Sequence, residues 1–438
     1  MQIFFEGRKV AMLVPSDIGP SLMYDPEWLR LPGAFPISTR MPLREASYAP
    51  SIVLPWLVNI LPEEENLEAI ARLTGVAKAD ALGILAEIGR DTSGALSFAE
   101  RGTARMNYRA VETKDELERI INELPSKPFL AGDDGVSMSL AGVQTKIGVH
   151  IDDQGQISIP INGSPSTWIL KPDTDRLWGS VYNEAYCLRL ALNSGLNAPA
   201  IRIGRAVTRK FILIERYDRV REGDVWRRIH QEDMCQALGH FPSTKYELNK
   251  AGRRGPGLRD IVAVLRDQSG LPAVLSFLKY TIFNILVCNT DAHAKNYSIL
   301  IRSDGVVLTP IYDVMCAAVW PKVTKYLAVS IATKRDGNHL MGRHWQREAL
   351  LCSLGAPALI RMVTTLCNDV EKQLDRTFDE IVGMDAEARA MAECCRDEIR
   401  ARIGHVRAGL KETEENLGAW VEAFTAKQAA AAEGMKKA

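Results

Sequence analysis

The spacing of apolar and polar residues divides the chain into a strand-like part and a helix-like part. Two β-rich runs in 2–14, separated by Glu6-Gly7-Arg8, predict a hairpin. Between about 51 and 100 the period changes, because apolar residues recur three and four positions apart, and helices are predicted at 66–76 and 78–89. The N-terminal part therefore combines short strands with short helices.

Strand-like spacing returns after residue 136 and gives way to helical spacing after about 217–223. Strands are predicted at 145–152, 157–161, 167–172, 200–207 and 210–218. Helices are predicted at 183–196, 232–238, 257–267, 272–289 and in several segments from 346 to 427. The exception in this helical half is a hairpin over 297–313, whose turn, Ser303-Asp304-Gly305, has strong hairpin chemistry. We expect two or three domains, with a β-rich part preceding a helical part.

Composition excludes some classes of function. The 438 residues include 54 basic and 54 acidic side chains, so no global charge attracts the chain to nucleic acid or to an anionic membrane. The first ten residues do not resemble a signal peptide, and the apolar runs at 51–61 and 280–288 are shorter than a bilayer span. The eight cysteines form no C-x-x-C pair, which favours reduced thiols in the cytoplasm over a zinc site.

Polar residues crowd into 289–296, directly after an apolar segment that is suited to burial. Asp291 and Asn296 have the D-x-x-x-x-N spacing that kinases use for the catalytic base and a metal ligand, and Asp313 follows after the hairpin. Carboxylate and amide oxygens are suitable Mg²⁺ ligands. Taken alone, the spacing is more typical of a loop with solvated charges at the end of a helix.

Two further side chains fit a phosphate site. Lys171 ends an apolar strand, and Glu184 lies at the start of the following helix. In kinases a strand lysine contacts the nucleotide phosphates and is steadied by a helix glutamate. The structural alternatives are an edge-strand charge for Lys171 and a first-turn acid that complements the helix dipole for Glu184.

A loop and a strand complete the kinase order. The backbone N–H groups of Leu140, Ala141, Gly142 and Val143 are candidates for binding phosphates, although a simple turn explains this loop equally well. The strand at 211–219 lies where a kinase hinge accepts adenine. The phosphate loop, lysine strand, helix glutamate, hinge strand, D-x-x-x-x-N segment and second aspartate occur in kinase order, which favours an interlobe cleft.

Several of these segments, taken as whole motifs, resemble the HipA family, the serine/threonine kinase toxins of bacterial toxin–antitoxin pairs. The matching blocks are 59–71, 88–98, 139–146, 168–172, 183–191, 214–219, 230–239, 289–298 and 308–314. The resemblance implies an α+β, two-lobed protein-kinase-like fold with a β-rich N-terminal lobe and an all-helical C-terminal lobe. Its implied domains are an N-terminal subdomain (1–100), a kinase N-lobe (101–220) and a kinase C-lobe (221–438).

The resemblance also assigns roles to residues. Asp291 would be the catalytic base, and Asn296 and Asp313 the Mg²⁺ ligands. The ATP-binding residues would be Leu140, Ala141, Gly142, Val143, Lys171, Glu215, Tyr217 and Lys295, with Glu215 and Tyr217 at the adenine hinge. Glu184 and His293 would be supporting residues, although His293 also suits a purely structural hydrogen bond. Ser139 matches the serine that is autophosphorylated for self-inactivation, and its ordinary interpretation is a turn serine.

The resemblance further implies partners. These are a HipB-type helix-turn-helix antitoxin, operator DNA bound mainly through that antitoxin, and an aminoacyl-tRNA synthetase, such as glutamyl-tRNA synthetase, as the substrate. Phosphorylating the synthetase would stop growth and promote persistence, in the cytoplasm and without a membrane. The segment 172–183 is short for the family. Two alternatives remain: a co-repressor scaffold with weak or no catalysis, and a kinase for a small alcohol.

Overall fold

The computed structural model describes residues 1–99, 106–250, 252–420, 422–424 and 426. Within them the helices are α1 (Pro26–Arg30), α2 (Pro50–Val58), α3 (Glu64–Thr74), α4 (Ala81–Ile88), α5 (Lys114–Glu123), α6 (Ser180–Asn193), α7 (Met234–Leu238), α8 (Leu258–Leu286), α9 (Gly342–Leu351), α10 (Ala356–Ile381) and α11 (Ala386–Gly409).

Most strands precede the long helices, as the sequence predicts. The strands are β1 (Gln2–Phe5), β2 (Arg8–Val14), β3 (Ser21–Tyr24), β4 (Asp91–Thr92), β5 (Leu96–Ser97), β6 (Asn107–Ala110), β7 (Met138–Ser139), β8 (Ile147–Ile151), β9 (Ile157–Ile161), β10 (Trp168–Pro172), β11 (Ile201–Arg205), β12 (Lys210–Glu215), β13 (Arg219–Glu222), β14 (Val225–Arg228), β15 (His230–Asp233), β16 (Ser298–Arg302), β17 (Gly305–Leu308), β18 (Tyr326–Ile331) and β19 (Lys334–Asp336). The hairpins predicted at 2–14 and 297–313 are confirmed by the antiparallel pairs β1–β2 and β16–β17.

The central sheet has the strand order β11-β12-β10-β8-β9-β6. Lys171 lies in β10, opposite Ile212 of β12. Side chains alternate between the faces of a sheet, so Leu170 and Lys171 project to opposite faces. Leu170 belongs to one hydrophobic core and Ile212 to another. The sheet thus separates the two cores and carries Lys171 on the face opposite to Leu170.

The first hydrophobic core joins the N-terminal region to the central sheet. It includes Ile3 and Trp56 from the N-terminal region together with Val149 and Leu213 from the sheet. Burial of apolar surface is the main favourable term in folding, so these parts stabilise one another. The predicted boundary between residues 100 and 101 lies outside the described residues.

A short parallel pairing of β4 with β7 also links the N-terminal region to the predicted phosphate loop. In this pairing Asp91 is opposite Met138, and Thr92 is opposite Ser139. The strand that carries Ser139 is therefore held by residues of the N-terminal region.

The second hydrophobic core is built mainly by α6, α8, α10 and α11. This half is mainly helical and not all-helical, because it also contains a sheet of order β15-β16-β17 and the pair β18-β19. The helix predicted at 232–238 begins only at Met234, because Asp233 caps it and pairs reciprocally with Gln236. The first residues of that segment form β15 instead.

α8 is interrupted at Gly270, which has φ 78° and ψ −176°, and Pro272 follows. It therefore consists of two helical segments, as predicted at 257–267 and 272–289. Taken as one helix of 29 residues, it is long and apolar enough to cross a membrane by length and composition, which the shorter runs considered in the sequence were not. Phe277, Phe283 and Leu286 of its second segment are buried in the helical core.

Candidate active site

A cleft of about 970 Å³ lies between the central sheet and the segment that follows α8. The predicted site residues that line it are Leu140, Ala141, Gly142, Val143, Lys171, Glu215, Tyr217, Asp291, His293, Lys295, Asn296 and Asp313. Ser139 and Glu184 are buried beside lining residues. The fold thus brings together residues that are far apart in the sequence.

Lys171 joins both sides of the cleft. Its Nζ lies 2.6 Å from Glu184 Oε1 and 2.7 Å from Asp313 Oδ1. Burial lowers the pKa of Lys171, but Asp313 and Glu184 outweigh it and raise that pKa above its usual value. An ammonium group has three N–H donors. Two are used in these bonds, which leaves one for a phosphate oxygen.

Lys146 is a second cation at this site, and no role was predicted for it. It is half-buried. Its ammonium group donates to the carbonyl of Ala141. Burial, and then repulsion from Lys171, lowers the pKa of Lys146 to about 8. Neighbouring cations that are partly withdrawn from water are costly unless an anion joins them. A nucleotide triphosphate would supply that anion.

The predicted phosphate loop is tied to the N-terminal region. The Glu63 N–H donates to the Gly142 carbonyl at 3.3 Å, and Asn66 Nδ2 donates to the Val143 carbonyl at 2.8 Å. Gly142 has φ 106°, which favours glycine, and a Cβ there would approach Lys146 Nζ to 2.8 Å. The position of the loop thus depends on residues 63–66.

Ser139 is fully buried next to this loop. Its Oγ donates to the Ile60 carbonyl at 2.8 Å, and its exposed fraction is 0%. A phosphate on this oxygen carries about −1.5 to −2 charges. Such a group does not fit a buried site between β7 and Ile60, so phosphorylation requires this strand to move.

Two of the polar residues that follow α8, Asn289 and Asn296, hydrogen-bond to the backbone of their own segment. Asn289 Nδ2 donates to Asn284 Oδ1 at 2.9 Å, and its Oδ1 accepts from the Asp291 N–H at 3.0 Å. Asn296 Nδ2 donates to the Asp291 carbonyl at 2.8 Å. Amide side chains thus hold the segment in an irregular path in which buried backbone groups would otherwise lack partners.

Asp291 accepts a hydrogen bond at Oδ1 from the hydroxyl of Tyr246. Asp291 is exposed to the cleft, but desolvation by the surrounding protein raises its pKa to about 6, against the lowering effect of this hydrogen bond. A carboxylate with this pKa can take a proton from a hydroxyl near neutral pH, as a general base does. Tyr246 was not predicted, because it lies 45 residues away in a loop without a motif.

Asn296 and Asp313 fit the donor set of Mg²⁺. Since Asn296 Nδ2 bonds to the Asp291 carbonyl, its Oδ1 is left as a possible ligand. Asp313 Oδ1 bonds to Lys171, but the side chain is 36% exposed. Burial raises the pKa of Asp313, and Lys171 and Lys146 lower it well below its usual range, so the group is ionised. An ionised carboxylate and an amide oxygen are what Mg²⁺ takes from proteins.

Lys295 is placed differently from its prediction as an ATP-binding residue. Its Nζ bonds to Asn59 Oδ1 at 2.7 Å, to the Asn59 carbonyl at 3.2 Å and to Asp233 Oδ2 at 2.8 Å. All three donors are thereby used, so the geometry favours a structural tie to the N-terminal region. The predicted supporting residue His293 has its pKa lowered to about 3, by burial and by Lys245. It is therefore neutral.

The predicted hinge residues close the cleft at the end of β12. Glu215 is the last residue of β12 and is exposed, and its N–H donates to the Ala200 carbonyl at 2.9 Å. The Tyr217 hydroxyl donates to Gln231 Oε1 at 2.6 Å, and its ring lies 5.6 Å from that of Tyr312. The Tyr217 side chain is therefore fixed by neighbours from the helical half.

A buried ion cluster lies beside this hinge. Its members are Asp91, Arg216, Asp218, Arg219 and Arg228. Asp91 Oδ1 accepts from Arg219 at 3.0 Å and from Arg228 at 2.8 Å, and Asp91 Oδ2 accepts from Ser166 Oγ at 2.7 Å. Asp91 belongs to β4, so the cluster ties the hinge to the N-terminal region.

Comparison with known proteins agrees with this geometry. Residues 1–99 match the HipA N-terminal domain, and residues 138–374 match the HipA-like C-terminal domain. The chain is 33% identical, over 87% of its length and 92% of the relative's, to a putative kinase, Y4mE, of Sinorhizobium fredii. It is 28% identical, over 86% of its length and 89% of the relative's, to the serine/threonine-protein kinase toxin HipA of Shewanella oneidensis.

A solved structure extends the agreement to the fold. HipA in the Shewanella oneidensis MR-1 complex of HipA, HipB and operator DNA matches with a TM-score of 0.82 and 24% identity, covering 94% of this chain and 98% of that one. Fold and site thus define a two-lobed, kinase-like protein. The chain belongs to the HipA family, whose two domain models together cover most of its length. The named kinases among its relatives support a kinase activity.

Proposed function

We propose that this protein is a serine/threonine-protein kinase toxin that transfers the γ-phosphate of ATP to a serine of another protein. The observation that carries the proposal is the ion network of Lys171, Glu184 and Asp313, in the same cleft as Asp291 and Asn296. Phosphoryl transfer needs a base, oxygen ligands for Mg²⁺ and cations on the phosphates. The cleft offers all three.

Each residue has a defined part in the proposed reaction. Asp291 accepts the proton of the acceptor hydroxyl while the hydroxyl oxygen bonds to the γ-phosphorus, and the bond from that phosphorus to the bridging oxygen of ADP breaks. Lys171 and Lys146 hold the phosphates, and residues 140–143 supply backbone N–H groups. Asn296 and Asp313 would hold Mg²⁺, which neutralises phosphate charge when bound. Glu215 and Tyr217 border the adenine site.

The partners are proposed from the relatives. A HipB-type antitoxin is supported by the matched HipA structure, which is a complex with HipB and operator DNA. We propose that operator DNA is contacted mainly through that antitoxin, since the net charge of this chain is zero. The proposed substrate is an aminoacyl-tRNA synthetase such as glutamyl-tRNA synthetase. Its phosphorylation in the cytoplasm would inhibit growth and promote persistence.

Self-inactivation by phosphorylation of Ser139 is part of the proposal. In this structure Ser139 Oγ is buried against the Ile60 carbonyl. A phosphate would expel β7 from its pairing with β4 and displace the adjoining loop, which would remove a part of the ATP site.

The decisive experiment incubates the purified chain with Mg²⁺-ATP, alone and with a panel of aminoacyl-tRNA synthetases. Asp291→Ala is the test variant. Asp304→Ala, an exposed change in the turn between β16 and β17, is the matched control. We expect phosphate on Ser139 or on a synthetase serine with the wild type and the control, and none with Asp291→Ala, read by intact mass and phosphopeptide mapping.

Other outcomes would replace the proposal. ATP binding without transfer to any protein would favour a co-repressor scaffold. ATP turnover that depends on an added small alcohol would favour a small-molecule kinase.

A further inference from the structure

The hydroxyl of Tyr246 lies where an acceptor hydroxyl is needed. It donates a hydrogen bond to Asp291 Oδ1, the carboxylate that serves as base in the proposed function. A general base must lie within hydrogen-bond reach of the hydroxyl from which it takes a proton. Tyr246 therefore makes, in the absence of substrate, the contact that a substrate serine would make.

The residues beside Tyr246 are anchored. Lys245 Nζ lies 2.8 Å from Glu63 Oε2, and the Lys245 carbonyl accepts from the Ala294 N–H at 3.2 Å. On the other side, Glu247 Oε2 accepts from the Ser330 N–H at 2.6 Å. Both neighbours are buried, whereas Tyr246 is partly exposed. The backbone is thus fixed, and rotation of the side chain is the available way to withdraw the hydroxyl.

The ring has a support within the catalytic segment. The Tyr246 and His293 rings meet edge-to-face, with centroids 4.9 Å apart and planes at 86°. An aromatic pair of this geometry is favourable beyond its burial. The contact holds the phenol on Asp291 by a modest energy that a bound partner can overcome.

On the basis of the proposed kinase function, we propose that Tyr246 is a specificity-determining residue that occupies Asp291 Oδ1, so that no water molecule is held at this oxygen until a protein hydroxyl displaces the phenol. Asp291 as a whole is exposed to the cleft, so a protein segment can reach it. Without such a residue, water could donate its proton to Asp291 while its oxygen bonds to the γ-phosphorus. The bond to the bridging oxygen would break, and ADP and inorganic phosphate would form without an acceptor.

Selection between water and protein follows from binding energy. A protein segment that enters the cleft makes contacts remote from the reacting hydroxyl, and these can offset the displacement of the phenol. A water molecule makes no such contacts. Tyr246 thus raises the barrier for hydrolysis more than the barrier for transfer to a protein serine.

The test measures ADP release from Mg²⁺-ATP by the full chain without an acceptor protein. All variants carry Ser139→Ala, so that phosphorylation of this serine neither consumes ATP nor inactivates the enzyme. Tyr246→Phe removes one oxygen, and Tyr246→Ala removes the ring. Tyr326→Phe is the matched control, because this tyrosine lines the same cleft and is 57% exposed.

We expect hydrolysis to rise about tenfold in Tyr246→Phe, the usual effect of removing a hydrogen bond to a charged group, and at least as much in Tyr246→Ala. Tyr326→Phe should match the parent, and adding Asp291→Ala to Tyr246→Phe should abolish the rise. The ratio of hydrolysis to transfer onto a protein acceptor should rise in Tyr246→Phe and at least as much in Tyr246→Ala, and it should stay unchanged in Tyr326→Phe.

Three results would overturn the inference. Unchanged hydrolysis in both Tyr246 variants would mean that the phenol does not exclude water. A parallel loss of hydrolysis and transfer in Tyr246→Phe would mean that it only positions Asp291. Phosphate on Tyr246 itself would make it an acceptor. If the chain with Ser139 intact transfers no phosphate to any protein, the proposed function fails, which is a separate readout.

Discussion

Two buried ion networks in this protein differ in whether their hydrogen-bonding capacity is used up. Around Asp91, both carboxylate oxygens are bound by arginines and by Ser166. Around Lys171, one ammonium donor remains, and Lys146 beside it carries a lowered pKa. A closed network is suited to holding segments together, whereas an open one is suited to completion by a ligand.

The largest expected effect concerns the closed network. Asp91→Ala leaves three buried arginines without their shared carboxylate, and removing one partner of a buried ion pair costs about 3–5 kcal/mol. We expect the free energy of unfolding, from chemical denaturation, to fall by this amount. The control Asp153→Ala breaks an exposed pair with Arg221 and should leave the unfolding midpoint unchanged. Equal effects of the two substitutions would contradict the distinction.

A substitution in the open network around Lys171 should lower the rate of phosphate transfer. Lys171→Met removes the cation that joins Glu184 and Asp313. Loss of a preorganised electrostatic contact in an active site typically lowers the rate about 10²–10³-fold. The measurement is kcat/KM for phosphate transfer, with Lys279→Met, an exposed change on α8, as the control. If the variant's kcat/KM for phosphate transfer stays within a few fold of the wild-type value, Lys171 has no role in catalysis.

Lys146, which lies beside Lys171, gives a second test of whether the open network needs a ligand. Its lowered pKa means that burial of its charge destabilises the folded state, and this cost is present below the folded pKa of about 8 and disappears as the pH rises past the unfolded value. We expect Lys146→Met to be at least as stable as wild type near neutral pH without nucleotide. Its added stability with Mg²⁺-ATP should be smaller, since a charge-assisted contact to phosphate is lost. Thermal unfolding with and without Mg²⁺-ATP measures both.

Glu232 is an intermediate case with a smaller expected effect. Its Oε1 accepts from Thr39, but Oε2 has no partner among the described residues. Burial raises its pKa to about 7, so the protein loses stability as the pH rises from the unfolded value toward 7. We expect Glu232→Gln to unfold like wild type near pH 4 and at a higher denaturant concentration near pH 8. Parallel pH profiles would contradict this.

The sequence predicted the residues whose chemistry is carried by a short motif. Asp291, Asn296 and Asp313 fall in one cleft because the helix end and the hairpin that carry them were both recognisable. Lys171 and Glu184 were predicted as a pair, and the structure joins them at 2.6 Å. In each case local spacing and element order were sufficient.

Local spacing and element order could not predict contacts between segments that are distant in the sequence. Lys295 bonds to Asn59, 236 residues away, and to Asp233, 62 residues away. No local pattern distinguishes such a lysine from one that binds phosphate. Tyr246 was missed for the same reason, because its meaning depends on Asp291 across a loop without a motif.

The shared core of the N-terminal region and the central sheet also has a consequence for biosynthesis. Ile3 and Trp56 leave the ribosome early, yet they pack in the same core as Phe211 and Leu213, which are made much later. The apolar core residues of the N-terminal region therefore stay exposed to solvent until their partners in the central sheet are synthesised. Apolar surface that is exposed during translation is prone to aggregation. We therefore expect the nascent chain to need protection from aggregation until β12 has emerged.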